Sequence, residues 1–272
     1  MPTLTSTTSF PGIVSVLRAA GCVFAEDEAS LLTSTARTPA ELAAMVSRRA
    51  AGHPLEHVLG WAEFAGLRVA VDEGVFVPRR RTEFLVEQAA ALAPHGAVVV
   101  DLCCGTGALG VALARAAGGA ELHAADLDPA AVRCARRNVA PLGGRAWEGD
   151  LYAALPEQLR GRVDVLLANV PYVPTGDIPL LPPEARLHEA ALALDGGPDG
   201  LAVLRRVTAE AAEWLAPGGS LLFETSTRQI PDAVRAVEAA PGGFTARVAA
   251  CEEREATVVL ATLALPRVVI RR

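Results

Sequence analysis

The chain has 272 residues, 51% of them hydrophobic, with a net charge of −6; that is enough for a large core in one or two domains and lacks the basic excess of a duplex nucleic-acid binder. No apolar run reaches membrane-spanning length, and the opening MPTLTSTTSFPGIVSVLRAAG lacks the basic and apolar regions of a signal peptide, so a cytoplasmic location is expected. The five cysteines (Cys22, Cys103, Cys104, Cys134 and Cys251) are odd in number without C-x-x-C spacing, which predicts reduced thiols rather than disulfides or a metal site.

Residues 11 to about 60 carry helical signals. PAELAAMVSRRAAG has Pro39 at its start, arginines late and Gly52 at its end, the expected start and stop signs of a helix. In EFAGLRVAVDEGVFVP, one strand is expected through Phe64, Leu67, Val69 and Val71 and a second through Val75 and Val77, with Asp72-Glu73-Gly74 as the turn. This hairpin, residues 61–80, is expected to join a helical domain at 1–60 to a larger domain at 81–272. The run Arg79-Arg80-Arg81 is the only compact basic cluster before the Arg271-Arg272 tail and reads as a solvated turn.

From residue 81 strands and helices alternate. Strands are predicted at 97–102, 120–126, 145–149, 163–168, 220–225 and 256–262. Helices fit 82–93, 108–118, 129–139, 200–215 and 228–240. APGG at 216–219 reads as a helix stop. Such alternation predicts an α/β domain with a mostly parallel sheet covered on both faces. Residues 169–199 form a long loop rich in Pro and Gly, of a length that is often functional.

VVVDLCCGTGALG runs from a buried strand into a helix. Gly105 and Gly107 allow a tight turn and close backbone approach to a ligand, and the helix offers free N–H groups. With Gly110 they satisfy G-x-G-x-x-G, and Asp126 lies near the spacing of a ribose-binding acid, a pattern that taken alone suggests a nicotinamide dinucleotide. Asp101 argues against that, because a carboxylate before the glycines repels a pyrophosphate. It suits S-adenosylmethionine, which brings a sulfonium and an ammonium. Asp126 can then hold the ribose hydroxyls and Asp150 the adenine amino group. Each acid taken singly also reads as a helix N-cap. Three at the carboxyl ends of successive strands mark the ligand edge of an open α/β sheet.

The strand DVLLA stops at Asn169-Val170-Pro171-Tyr172. An amide or aromatic-amine nitrogen is a poor nucleophile because its lone pair is delocalised. Two oxygens that accept its hydrogens, the Asn169 side chain and the Val170 carbonyl, orient the lone pair and favour charge building on nitrogen. Pro171 holds Val170 extended, and Tyr172 covers a planar acceptor. Asn and Pro are also ordinary turn formers.

Over roughly residues 45 to 262 the chain resembles the glutamine methyltransferases that act on peptide chain release factors. The resemblance rests on RRAAGHPLEHVLGWAEFAGLRVAVDEGVFVPRRRTEFLVE, VVDLCCGTGALGVALA, AADLDPAAVRCARRN, GDLYAAL, NVPYVP, ALDGGPDGL and LAPGGSLLFE, in that order. It implies a class I S-adenosylmethionine-dependent methyltransferase, Rossmann-like, with a small N-terminal helical domain that grips a protein substrate. It also implies cofactor contacts from Asp101, Cys103, Gly105, Gly107, Asp126, Leu127, Asp150, Leu151 and Asn169. Asn169, Val170, Pro171 and Tyr172 would hold the glutamine amide of a Gly-Gly-Gln motif. Four departures suggest a divergent branch: Val170 replaces the first proline of Asn-Pro-Pro-Tyr, Cys103 replaces a glycine, Arg80 replaces the second proline of Pro-Arg-Pro, and Glu189-Ala190-Ala191 replaces Glu-Pro-Arg. Arg186 is a candidate substitute for the lost arginine. On the residues alone two other acceptors stay open: the amino group of adenine or cytosine, which must be unstacked into the site, and a small-molecule or peptide amine.

Overall fold

The computed structural model describes residues 9–265; the Arg271-Arg272 tail and the first eight residues of the opening segment lie outside the described residues. Four helices come first: α1 (Phe10–Ala19), α2 (Ala25–Thr35), α3 (Pro39–Ala50) and α4 (Leu55–Leu59). The α3 helix begins as its sequence suggests: Pro39 occupies the first turn and the Thr38 hydroxyl accepts from the Glu41 N–H at 3.1 Å. The four helices bury their own cluster, with Ile13, Leu17, Leu32, Met45 and Val58 at its centre.

The hairpin forms with a different turn. β1 (Trp61–Phe64) and β2 (Leu67–Ala70) pair antiparallel with Phe64 opposite Leu67, so the turn is Ala65-Gly66, not Asp72-Glu73-Gly74. Both turn residues have positive φ, 50° and 71°, as the right-handed strand twist requires of a two-residue loop. Val75 and Val77 are buried but lie outside any strand. Their segment bonds instead to the later loop, the Val77 N–H donating to Glu189 Oε1 at 3.1 Å and the Ala190 N–H to the Gly74 carbonyl at 3.1 Å.

The rest alternates as predicted: α5 (Glu83–Ala90), β3 (Ala97–Leu102), α6 (Ala108–Ala116), β4 (Ala120–Asp126), α7 (Pro129–Val139), β5 (Arg145–Glu148) and β6 (Val163–Ala168). Then come α8 (Pro183–His188), α9 (Ala202–Trp214), β7 (Leu215–Glu224), α10 (Ile230–Glu238), β8 (Thr245–Cys251) and β9 (Ala256–Thr262). Three of these differ from expectation. APGG lies inside β7, which begins at Leu215. The long loop contains α8. Edge strand β8 has mostly exposed or half-buried residues, so it lacks the apolar run that marked the others.

Among the described residues seven strands form one sheet in the order β5-β4-β3-β6-β7-β9-β8. The first five are parallel, and β9 runs against both its neighbours. The apolar runs are continuous because both faces are covered: Val99 and Leu167 pack on one side, Val100 and Leu166 on the other. Strand order reverses between β3 and β6, and such a switch point leaves a crevice beyond the carboxyl ends.

Candidate active site

A cavity of about 480 Å³ opens at that switch point, within the range of small-ligand sites. The carboxyl ends of β3, β4 and β6 and the residues just past β5 form its floor. The segment Phe76 to Arg81 forms one wall, and the loop around α8 forms the roof.

Past β3 the chain turns through Cys103 and Gly105, with φ of 52° and 54°. The first value explains why glycine suits this position: a left-handed conformation costs a side chain about 1–2 kcal/mol. Both residues line the cavity. Gly107 does not. It starts α6 with φ 75°, and a Cβ there would press on Ala135 and Val139 at 3.3 Å, so its task is helix packing. Gly110 likewise leaves room for Leu122 and Asp101.

Asp101 is 1% exposed and lines the cavity. Its Oδ2 accepts from the Gly110 N–H at 2.9 Å, so it caps α6 as well as facing the site. Burial pushes its carboxyl up to about 8; the Gly110 bond opposes this and the charge of Asp126 adds to it. Asp126 accepts from the N–H groups of Gly105 (2.8 Å) and Asp128 (2.9 Å). Burial raises its pKa, with those two bonds pulling against the rise. Asp150, half exposed, pairs with Arg206 at 2.6 Å, and Leu127 and Leu151 flank the same floor. A floor of carboxylates, one buried without a cation, fits a ligand that brings positive charge and hydroxyl groups.

Leu102 pairs with Ala168, so Asn169 emerges beside the glycine loop. Asn169, Val170, Pro171 and Tyr172 all line the cavity. The Oδ1 of Asn169 is buried and has no hydrogen-bond partner, an expensive state unless a ligand supplies a donor. Among the described residues no donor reaches the Val170 carbonyl either. The next two carbonyls face protein neighbours. Pro171 O lies where a Cβ on Gly196 would come within 2.7 Å, and Tyr172 O accepts from Gln229 Nε2 at 2.9 Å.

The arginine run is not a solvated turn. Arg79 donates to both oxygens of Glu189 (2.6 and 2.7 Å), and Arg81 donates to Glu224 (2.8 Å) and to the Tyr172 hydroxyl (2.6 Å). Glu189 and Glu224 are both buried. Arg79, Arg81, Glu189, Glu224 and Gln229 are not site residues on the sequence reading; the signals available for them are the family motifs that Pro78-Arg79-Arg80, Glu189-Ala190-Ala191 and LAPGGSLLFE resemble. Arg186 does not replace the missing arginine: it is exposed, lines no part of the cavity and has no ion pair among the described residues.

Residues 66–197 match the family described as methyltransferase small domain. A release factor glutamine methyltransferase of Geobacter sulfurreducens is 42% identical over 70% of this chain and 68% of its own. A 4-amino-L-phenylalanine/4-methylamino-L-phenylalanine methyltransferase of Streptomyces pristinaespiralis is 41% identical over 68% of this chain and 65% of its own. Among solved structures, a Thermus thermophilus 16S rRNA N2 G1207 methyltransferase in complex with AdoMet and guanosine matches with a TM-score of 0.52 and 25% identity, over 75% of this chain and 49% of its own.

Proposed function

Because the chain belongs to the release factor glutamine methyltransferase family, we propose that it methylates the side-chain amide nitrogen of a protein glutamine, that of a Gly-Gly-Gln motif in a peptide chain release factor. Its fold is that of a class I S-adenosylmethionine-dependent methyltransferase. Bound S-adenosylmethionine supplies a methyl group already activated on a sulfonium sulfur, so the protein needs no strong base. Asp101 offers negative charge to the donor's cationic part, Asp126 accepts from ribose hydroxyls, and Asp150 faces the adenine with Arg206 beside it. Cys103, Gly105, Leu127 and Leu151 shape the bed between them.

The observation that carries the acceptor reading is the pair of free oxygens at the tip of β6, Asn169 Oδ1 and Val170 O. Two acceptors on adjacent residues suit the two hydrogens of one NH2 group. Bound there, the nitrogen lone pair is directed toward the donor, and the oxygens stabilise the charge that builds on nitrogen. Tyr172 covers the flat amide. Among the described residues the arginines lining the cavity, Arg79, Arg81 and Arg206, are each paired with a carboxylate, so they offer a nucleic-acid phosphate no unpaired charge. The N-terminal helices extend the surface available to a protein partner. A cytoplasmic location accords with the five free cysteines.

A second reading, an aromatic amine as acceptor, is favoured by one observation: Leu181, Pro182, Ala185, Leu192 and Leu194 make the roof mostly apolar, with Glu184 its one charged residue. Incubation with labelled S-adenosylmethionine separates the two. Label on the Gly-Gly-Gln peptide of a purified release factor supports the first reading. Label only on 4-aminophenylalanine supports the second.

Val170→Pro is expected to fold and keep turnover within a few-fold. Only the carbonyl of residue 170 is needed, and its N–H has no partner to lose among the described residues. A folded but inactive variant, judged by melting curve and methylation assay, would assign a role to the valine side chain.

A further inference from the structure

Glu224 lies at the carboxyl end of β7 and is 3% exposed. Leu167 of β6 pairs with Leu222 of β7, so two residues further along each strand Glu224 stands level with Asn169. Its two oxygens take three donors: the Tyr172 hydroxyl at 2.8 Å, Arg81 Nε at 2.8 Å and the Thr82 hydroxyl at 2.6 Å. Arg81 Nη2 closes the loop by donating to the Tyr172 hydroxyl. The single proton of that phenol is committed to Glu224, so it cannot donate to a substrate; Tyr172 can offer only the face of its ring.

We propose that Glu224 is a positioning residue for methyl transfer: with Arg81 it locks the Tyr172 phenol and so fixes the ring as the wall of the acceptor site. This rests on the reading that the acceptor NH2 binds at Asn169 and Val170. The main chain of Tyr172 is already held, since Gln229 Nε2 bonds its carbonyl and also Asp199 O at 3.0 Å, and Gly200 admits no side chain against that contact. What remains free is rotation of the ring about its side-chain bonds, and the phenol lock removes it. Stability is a poor reason for such an arrangement. A buried carboxylate paired with a half-exposed arginine contributes little net free energy, and apolar packing in its place is often as stable. Fixed geometry at a reacting group is a better one, because small misplacements there cost rate.

The test uses the full chain with Glu224→Gln, Tyr172→Phe and the double variant, a release factor as acceptor and ring-labelled tyrosine for NMR. The chain has two tyrosines, so the signal lost in Tyr172→Phe is that of Tyr172. Each single change is expected to lower kcat roughly tenfold while donor affinity by calorimetry stays near wild type. The double is expected to lose about as much as the larger single, because both break one unit. In Glu224→Gln the Tyr172 ring should flip faster and its phenol should titrate lower, since burial and the Glu224 charge both hold that pKa up. An unchanged ring signal, or losses that multiply to about a hundredfold, would overturn the lock. A wild-type enzyme that labels no glutamine, with the ring result intact, would overturn the acceptor assignment instead.

Discussion

Asn169→Ala is expected to lower kcat by about 10²–10³-fold, the usual cost of removing one preorganised polar group from a reacting centre. Donor affinity should change by no more than a few-fold, because Asp101, Asp126 and Asp150, on β3, on β4 and just past β5, stay in place. The folded protein should not suffer. The Oδ1 of Asn169 is buried without a partner, so its removal takes away an unsatisfied group rather than a bond; the melting temperature should hold or rise. That combination, with turnover lost and both stability and donor binding kept, separates a catalytic amide from a structural one. Calorimetry with S-adenosylmethionine and a methylation assay on the same preparation decide it. Parallel loss of affinity and turnover would refute the role.

Asp101→Asn should have opposite effects on stability and on binding. The folded carboxyl is pushed up to about 8, whereas an unfolded aspartate titrates near 3.9. Between those values the folded chain keeps a proton that the unfolded chain has lost. The contribution of Asp101 to stability is therefore greatest below about pH 4, falls as pH rises toward 8 and levels off beyond it. Asparagine keeps the acceptor for the Gly110 N–H and has no charge to bury. The variant should gain roughly 1–3 kcal/mol at pH 8 and little at pH 4, read as a few degrees of melting temperature. Donor binding should weaken about 10–100-fold, because a cation loses its buried counter-charge. In the wild type, binding at pH 7 should release a proton, visible as a calorimetric enthalpy that varies with the buffer; Asp101→Asn should abolish that release. A wild-type enthalpy independent of buffer would place the Asp101 titration outside this range.

The local readings succeeded where the cause was local. Runs such as AVVVDL and DVLLA lie within the sheet as predicted, and the acids and Asn169 fall at carboxyl ends because strand length alone puts them there. Errors arose where a pattern had two physical causes. Val75 and Val77 alternate as a strand would, yet Val75 is buried against Ala131 and Cys134 and Val77 within the main core, and the Val77 N–H bonds a loop residue 112 positions later. β8 was missed because an edge strand with one neighbour need not be apolar.

By itself the sequence determined the α/β alternation, the glycine turn after β3 and which residue types stand at the strand tips, since each depends on neighbours a few residues apart. Tertiary structure alone decided which polar groups are spent and which stay open. Arg81 meets Glu224 across 143 positions, a separation that leaves no periodic trace in the chain. The free oxygens of Asn169 and Val170 stand out only once the donors around them have been assigned to other partners.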